Sequence, residues 1–528
     1  MNGIRTAASS AENVSDHTQP SNSSSDVEKD PLPSDGLEPT RSGSLYFSST
    51  ISLPREILLV TVVCCAQLTT QAGLGQVLGI LKIIADDFDI HSPGEESWLI
   101  AAYSLTVGSF ILISGRLGDV FGYKKMLIIG YLWYSLWSLV CGLSVYRGSF
   151  MFTFARALQG IGPSILLPNG LAVLGASYPS GHRKNMVFSL FGACAPGGCI
   201  LGAALAGVFA EFAWWPWTFF VFSIGLLILA ILAIYVVPAI PPYKDPKTLT
   251  FKELIVETDI IAGMAGVTGL ILINVAWNQA PIAGWTTPYV YVLLILGFLV
   301  LSAFLYVEFY QSKHPLLPLH VLNSNVGFVL TCMAFGWGCF GIWSYYVWIF
   351  CSRVLELSPL LVIAWFSPVV VAGAVAAVCT GLVLGRIGPA WTMLVAMSAF
   401  LTGSALFAFR PTEQIYWAQM FLCTIITPWG MDMSFPAATL ILSDSVPRQH
   451  QGVAASLVNT VVNYSISLAL GFAGTAEVYL SRGTSTKEDL EHGYRVALYL
   501  GVGLAGLGWL TSITFLAKTS MSRRRTKD

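Results

Sequence analysis

Residues 115–125 read GRLGDVFGYKK and lie between two runs, 97–114 and 126–145, that are almost wholly apolar. One carboxylate, Asp119, stands among the cations Arg116, Lys124 and Lys125. Each flanking run can cross the ~30 Å hydrocarbon core of a bilayer as a helix. The stretch therefore reads as a polar connection between two membrane spans. The composition agrees: 528 residues, 55% hydrophobic and 11% charged, with a mean hydropathy of +0.67. A soluble domain carries about 25% charged residues, so this chain lacks the charge to cover a water-soluble globule.

Working outward, apolar runs of spanning length recur at 57–81, 97–114, 126–145, 151–175, 187–210, 216–238, 259–277, 288–308, 326–350, 360–384, 391–409, 415–441, 453–477 and 495–517. A closed barrel is excluded, because its strands would be about ten residues long with alternating polarity. The expected fold is an all-α polytopic membrane protein with fourteen spans. From Arg116 onward, one set of alternate gaps, with the C-terminal tail, holds sixteen Lys and Arg, and the opposite gaps hold seven. The positive-inside rule puts the richer side, and both termini, in the cytosol. The outer gaps gather acid instead, as in ADDFDIHSPGEES (85–97).

Residues 1–55 are rich in Ser, Asp and Pro and are expected to form a disordered cytosolic tail, solvated or regulatory. Without a basic segment followed by an apolar core, they do not read as a signal peptide. The sequons at Asn13, Asn22 and Asn463 fall in the cytosol or the membrane and should stay unglycosylated. The ten cysteines lie in apolar stretches without a C-x-x-C pair, and the seven histidines in polar gaps, so neither a disulfide framework nor a metal site is expected. The net charge of −1 gives no support for nucleic-acid binding. No G-x-x-x-x-G-K-[ST] occurs, so an ATP-driven pump is disfavoured. No loop is long enough for a soluble catalytic domain, and neither an enzyme nor a cofactor is expected.

The chain echoes itself. LGDVFGYKKML (117–127) follows the second span and LGRIGPAWTML (384–394) the tenth; YPSGHRKNMVFSL (178–190) follows the fourth and VPRQHQGVAASL (446–457) the twelfth. The offset is eight spans both times. Spans 1–6 (56–240) and 9–14 (321–517) read as two copies of a six-helix bundle. Two inserted helices with their linkers fill 241–320, and 518–528 is a basic cytosolic tail. Parallel repeats of this sort mark secondary transporters, whose substrate site lies between the repeats.

GRLGDVFGYKKML resembles the loop 2–3 motif of the major facilitator superfamily, G-x-L-a-D-r-x-G-r-k-x-x-l, through Gly115, Leu117, Asp119, Gly122 and Lys124. RALQGIGPSILLPNG (156–170) resembles that superfamily's R-x-x-q-G-x-g motif through Arg156, Gln159, Gly160 and Gly162. With fourteen spans, the chain is similar to the fourteen-spanner drug:proton antiporter family. IADDFDI, SWLIAAYSLTVGSFILISGRLGD and WWPWTFF look most like its fungal branch of aminotriazole-resistance proteins and low-affinity ammonium transporters. Three departures matter. Val120 replaces the usual Arg after the motif acid; span 1 (CCAQLTTQAGLGQVLG) has no acid; and G-P-x-x-G-G survives only as a degenerate Gly202–Gly207 segment.

Charges inside hydrocarbon are costly and default to function. Two sit well inside a run: Arg156, ~9 Å from the outer end of span 4, and Asp432, ~15 Å from the inner end of span 12. Arg156 is expected to bind an anionic or dipolar substrate or repel protons, or else to bond backbone carbonyls of neighbouring helices. Asp432 is the candidate for proton or cation coupling, unless it caps a helix break in ITPWGMDMSFP (426–436). A direct Arg156–Asp432 pair is a further option. Gln71, Gln76, Gln159, Asn169, Trp337, Tyr346, Asn459 and Asn463 complete the candidate cavity, with interhelical bonding and packing as the plainer reading. Gly192, Gly197, Gly202 and Gly207, five apart, read as a close-approach face of span 5.

The resemblance implies that Gly115, Arg116, Asp119, Gly122 and Lys124 form a conformational latch, with Asp119 facing a helix N-terminus of the other half. It implies proton-coupled export of small organic molecules or toxicants by alternating access. Low-affinity ammonium uptake is the alternative, and a non-transporting membrane sensor a third. The expected partners are a small-molecule or ion substrate, protons and the lipid bilayer. The protein is expected to act as a monomer in the plasma membrane, with the vacuolar membrane as the alternative.

Overall fold

The computed structural model describes residues 52–179, 182–240, 248–312, 315–316, 324–444, 451–480 and 486–525. The expected tail up to 51, with its two sequons, lies outside them. So do 241–247 of the inserted linker and 445–450 after the twelfth run.

All regular structure among the described residues is helical. Fourteen long helices follow the apolar runs: α1 Leu53–Leu78, α2 Pro93–Phe121, α3 Tyr123–Leu143, α4 Ser149–Ser177, α5 His182–Phe212, α6 Trp217–Val236, α7 Ile260–Ala283 and α8 Pro288–Tyr310. After these come α9 Ser324–Ile349, α10 Pro359–Ile387, α11 Pro389–Ala408, α12 Gln419–Asp444, α13 Gln451–Leu480 and α14 Lys487–Arg525. Thirteen are long and apolar enough to cross a membrane, and α12 stands outside that group. Its 26 residues suffice in length, but Pro428, Gly430, Asp432, Ser434 and Pro436 dilute its apolar character. The expected fourteen apolar spans are thus thirteen plus one polar helix of spanning length.

The stretch 115–125 is not a loop. α2 continues through it to Phe121 and α3 begins at Tyr123, so the connection is the single residue Gly122 at φ 95°. With ψ at 131° this lies outside the left-handed helical well, in a region left almost wholly to glycine, where an L-residue is strained by about 1–3 kcal/mol. Gly388 at φ 83° makes the same turn between α10 and α11.

Packing repeats with the offset of eight. α1 packs on α5, α2 and α3 pack on α4, and α3 packs on α6. In the second copy α9 packs on α13, α10 and α11 on α12, and α11 on α14. The result is two six-helix bundles, joined along two seams, α2 with α13 and α5 with α10, which the eight-helix offset exchanges, since α2 matches α10 and α5 matches α13. Of the inserted pair, α7 packs on both α2 and α13, and α8 packs on α7.

Small residues set the closest approaches. A Cβ at Gly198 or Gly202 would overlap the carbonyl oxygen of Leu68 or Ala72 on α1. Of the four glycines spaced by five, Gly202 meets α1 and Gly207 meets α10 side chains, whereas Gly192 meets nothing within 4 Å. The face is therefore split between two partners. Burying backbone against backbone this way gives van der Waals contact that lipid tails cannot match.

Candidate functional site

The two ends of the molecule differ. The end carrying residues 79–96 and 350–359 is acidic, and the end carrying Arg116, Lys124, Lys125, Arg183, Lys184 and Arg386 is basic. The α2–α13 seam runs between them: Ser467 Oγ donates to the Ala101 carbonyl at 3.0 Å, and a Cβ on Gly115 would lie 3.2 Å from Ser456 Oγ. The α5–α10 seam does not. Near the acidic end Gly207 faces Leu360 and Ile363, and midway Gly373 faces Pro196. Towards the basic end Gly192, Gly381 and Gly385 meet no atom within 4 Å.

Arg156 lies within the first bundle, with 0% exposure. Its Nη1 donates to Gln159 Oε1, its Nε to the Leu99 carbonyl at 3.3 Å, and its guanidinium lies 4.4 Å from the Tyr103 ring centroid. Gln159 Nε2 donates in turn to Ser138 Oγ at 2.7 Å. The Tyr103 and Tyr134 hydroxyls lie 2.9 Å apart and within reach of the carbonyls of Thr70 and Thr69 at 2.7 and 2.9 Å; with one proton each, they make two of these three bonds at a time. The network sews α1, α2, α3 and α4 together. The carbonyl-bonded arrangement is the one found, and the expected opening of Arg156 onto a cavity is not: three packed helices and a tyrosine ring enclose it. Only Nη2 has no partner.

Asp432 has different surroundings. Helix α12 runs unbroken through it, so it caps no break. Its Oδ2 is buried without a hydrogen-bond partner, beside Gly373 of α10 where that helix meets Pro196 of α5; a Cβ on Gly373 would sit 2.9 Å from Oδ2. It is a carboxylate at the seam between the bundles. No hydrogen bond or ion pair joins it to Arg156, so the optional direct pair is not formed: each charge lies against different helices.

The remaining candidates divide by location. Trp337 Nε1 donates to Ser434 Oγ at 3.1 Å, two residues from Asp432. Asn169 Nδ2 bonds the carbonyls of Ser114 and Ile165, a link between α2 and α4. Asn463 donates to the Asn459 carbonyl of its own helix at 3.0 Å, and Gly108 of α2 packs against it. Gln76 is buried with Nε2 unpartnered, and Gln71 is half-buried on the same helix. Tyr346 lies away from these, donating to Glu477 Oε2 at 2.7 Å towards the acidic end.

That last bond opens a cluster that the runs of hydrophobicity concealed. Glu96 of α2 and Glu477 of α13 are 5% and 3% exposed. Arg353, in a π-helical segment Phe350–Val354 that continues α9, lies 3.3 Å from Glu96 and 3.7 Å from Asp86. These acids lie in spanning helices yet border polar residues in the sequence, so they read as loop charge. A buried polar knot was hidden in the same way. Asn278 Nδ2 donates to Asn274 Oδ1 at 2.9 Å, and Ser467 Oγ lies 2.9 Å from that same oxygen, which ties α7 to the α2–α13 seam.

At the basic end Asp119 is exposed and accepts from Tyr123 Oη at 2.8 Å within its own bundle. Arg116 Nε donates to the Glu257 carbonyl at 2.9 Å and Lys124 Nζ to the Ile234 carbonyl at 2.7 Å. Among the described residues Asp119 forms no hydrogen bond or ion pair with α9–α14.

These features have known counterparts. The profile described as Major Facilitator Superfamily matches residues 63–471. The chain is 49% identical over 475 residues to a Saccharomyces cerevisiae protein called "Low affinity ammonium transporter", covering 90% of this chain and 91% of that one. It is 41% identical over 490 residues to "Efflux pump terG" of Aspergillus terreus, covering 93% and 92%. A peptide transporter POT crystallised with sulfate superposes with a TM-score of 0.62 at 15% identity over 88% of this chain and 94% of that one, a likeness of fold. Two six-helix bundles related by an eight-helix offset, and a profile match over most of that length, make this chain a member of the major facilitator superfamily.

Proposed function

We propose that the protein is a secondary active transporter that exports small organic molecules by alternating access, driven by protons. The observation that carries the reading is the pair of seams: α5 and α10 touch near the acidic end and part towards the basic end, while α2 and α13 stay in contact. Two bundles hinged this way can rock, opening one end as the other closes. The positive-inside asymmetry supports a cytosolic basic end, so the conformation described faces the cytosol. The 56–240 and 321–517 bundles are the moving bodies, a single chain suffices, and the plasma membrane is the site of action.

Asp432 supports proton coupling. A carboxylate with a buried, unpartnered oxygen at the moving seam can hold a proton in one conformation and lose it in another. The aromatic side chains around Trp337, with Gln71, Gln76, Asn459 and Asn463, supply apolar and polar contacts for an organic substrate. Kinship to an efflux pump at 41% identity supports export. Kinship at 49% identity to a low-affinity ammonium transporter favours a second reading, ammonium uptake.

One experiment separates them. Cells lacking the protein should become sensitive to particular toxicants while taking up methylammonium normally. Unchanged toxicant sensitivity with lost methylammonium uptake reverses the assignment.

A further inference from the structure

The acidic end holds a group of charges that neither Asp432 nor the basic motif explains. Glu96 belongs to the first bundle, and Arg353 and Glu477 to the second. Arg353 reaches across the seam to Glu96 Oε2 at 3.3 Å and Asp86 Oδ1 at 3.7 Å. Lys82 Nζ reaches the Ser352 carbonyl at 3.5 Å beside it. Glu96 and Glu477 lie within electrostatic range of each other and of Arg353. Tyr346 donates to Glu477, and Tyr345 and Tyr494 lie within electrostatic range of the two acids and Arg353. Among the described residues Arg353 is the cation paired with Glu96, and no cation comes within ion-pair distance of Glu477, whose direct partner is Tyr346.

We propose that Glu96, Arg353 and Glu477 form a proton-linked lock, which shuts the acidic end by taking up one proton from that side. Charge count, and which body carries each group, decide this. With the end closed, two enclosed carboxylates lie near one guanidinium, Glu96 in direct contact and Glu477 at longer range; Asp86, on the exposed rim, keeps its own hydration. Both glutamates ionised would leave an uncompensated negative charge out of water, which is costly. One bulk proton added to the pair, converting a carboxylate to a carboxylic acid, brings the trio to neutrality. When the bundles part, Arg353 and Glu477 leave on the same body, one charge of each sign. Glu96 stays on the first bundle, now hydrated, and the proton returns to the acidic side. Closing the acidic end is thus linked to one proton.

The lock rests on the alternating-access reading and gives it a direction: acid outside would hold the outer end shut and return the transporter to its cytosol-facing state. It is distinct from Asp432, which lies on the other seam.

The test uses the full chain without native cysteines, carrying Leu357→Cys, which lines the ~160 Å³ cavity between the bundles at the acidic end. A membrane-impermeant maleimide is applied to intact cells from pH 5 to pH 8, with rates corrected for thiol ionisation using an exposed reporter at Glu356→Cys. The labelling rate should rise with pH, by up to about tenfold per unit for a one-proton linkage. Glu477→Gln, and separately Glu96→Gln, should label slowly and independently of pH. Arg353→Ala should label fast throughout, and Arg353→Lys should restore part of the response. A wild-type pH response in both glutamine variants overturns the lock. A second reporter, Gly385→Cys at the basic end, separates the two claims. If its accessibility changes reciprocally with transport substrate while the acidic-end pH response is absent, the lock fails and alternating access stands. If neither reporter responds to substrate or pH, both fail.

Discussion

Helices α4 and α12 hold matching places in the two bundles, and each carries two internal prolines, Pro163 and Pro168 in one and Pro428 and Pro436 in the other. Each also carries one deep charge, in opposite circumstances. Arg156 is enclosed by its own bundle and bonded on two of its nitrogens, whereas Asp432 sits at the seam with a bare oxygen. The repeat has kept the scaffold and not the chemistry. One charge holds a bundle together; the other lies where bundles slide.

The largest effect should separate these roles. Arg156→Ala leaves Gln159 half-satisfied around a void, and by analogy with other large-to-small core truncations should cost about 2–5 kcal/mol. It is read as a lowered melting temperature of the purified protein, with less protein at the membrane. If Asp432→Ala lowers melting as much, the contrast between the helices collapses. Next, Asp432→Asn should leave melting nearly unchanged while slowing transport by about tenfold or more, the scale of one pKa unit of differential interaction. It should also flatten the dependence of transport on pH. An unaltered pH profile in the transport assay would refute the coupling role.

Two glycines sharpen the scaffold half of the comparison. Gly122→Ala and Gly388→Ala force an L-residue into a glycine-only region of positive φ and extended ψ, so each should destabilise its bundle by about 1–3 kcal/mol, seen as similar melting shifts. Unequal shifts would mean that the two turns are not equivalent. The smallest effect belongs to Asp119→Ala. A carboxylate that meets a helix N-terminus only during the cycle contributes ~0.3–1 kcal/mol, so transport should slow a few-fold with unchanged substrate preference. A changed preference in competition assays would place Asp119 in the binding site instead.

The bundles were legible because spanning length and apolarity are properties of contiguous sequence, and the eight-span echo survived in short polar strings. The limits came where burial depends on neighbours. Glu96 and Glu477 border polar residues, so nothing local distinguishes a carboxylate at the water boundary from one enclosed by α9, α13 and α14. Arg156 was found by its depth in an apolar run, yet depth alone did not say which way its guanidinium turns; Tyr103 and Leu99, on another helix, decide that. Helix α12 was the converse case, since its polar residues serve a seam and so lower the apolarity by which spans are recognised.

The one-residue corner at Gly122 has a mechanical consequence. Two stiff rods of 29 and 21 residues meet there with no slack between them. A tilt of α2 about its contact with α13 must therefore be handed to α3 almost undiminished, and through α3 to α6. A longer, compliant loop would absorb that torque, leaving the inner rod free to tilt while the outer ones lagged. Gly388 couples α11 as tightly to the Pro368–Ile387 part of α10, while the break at Ser367 frees the Pro359–Phe366 part, so the lever on that side begins at Pro368.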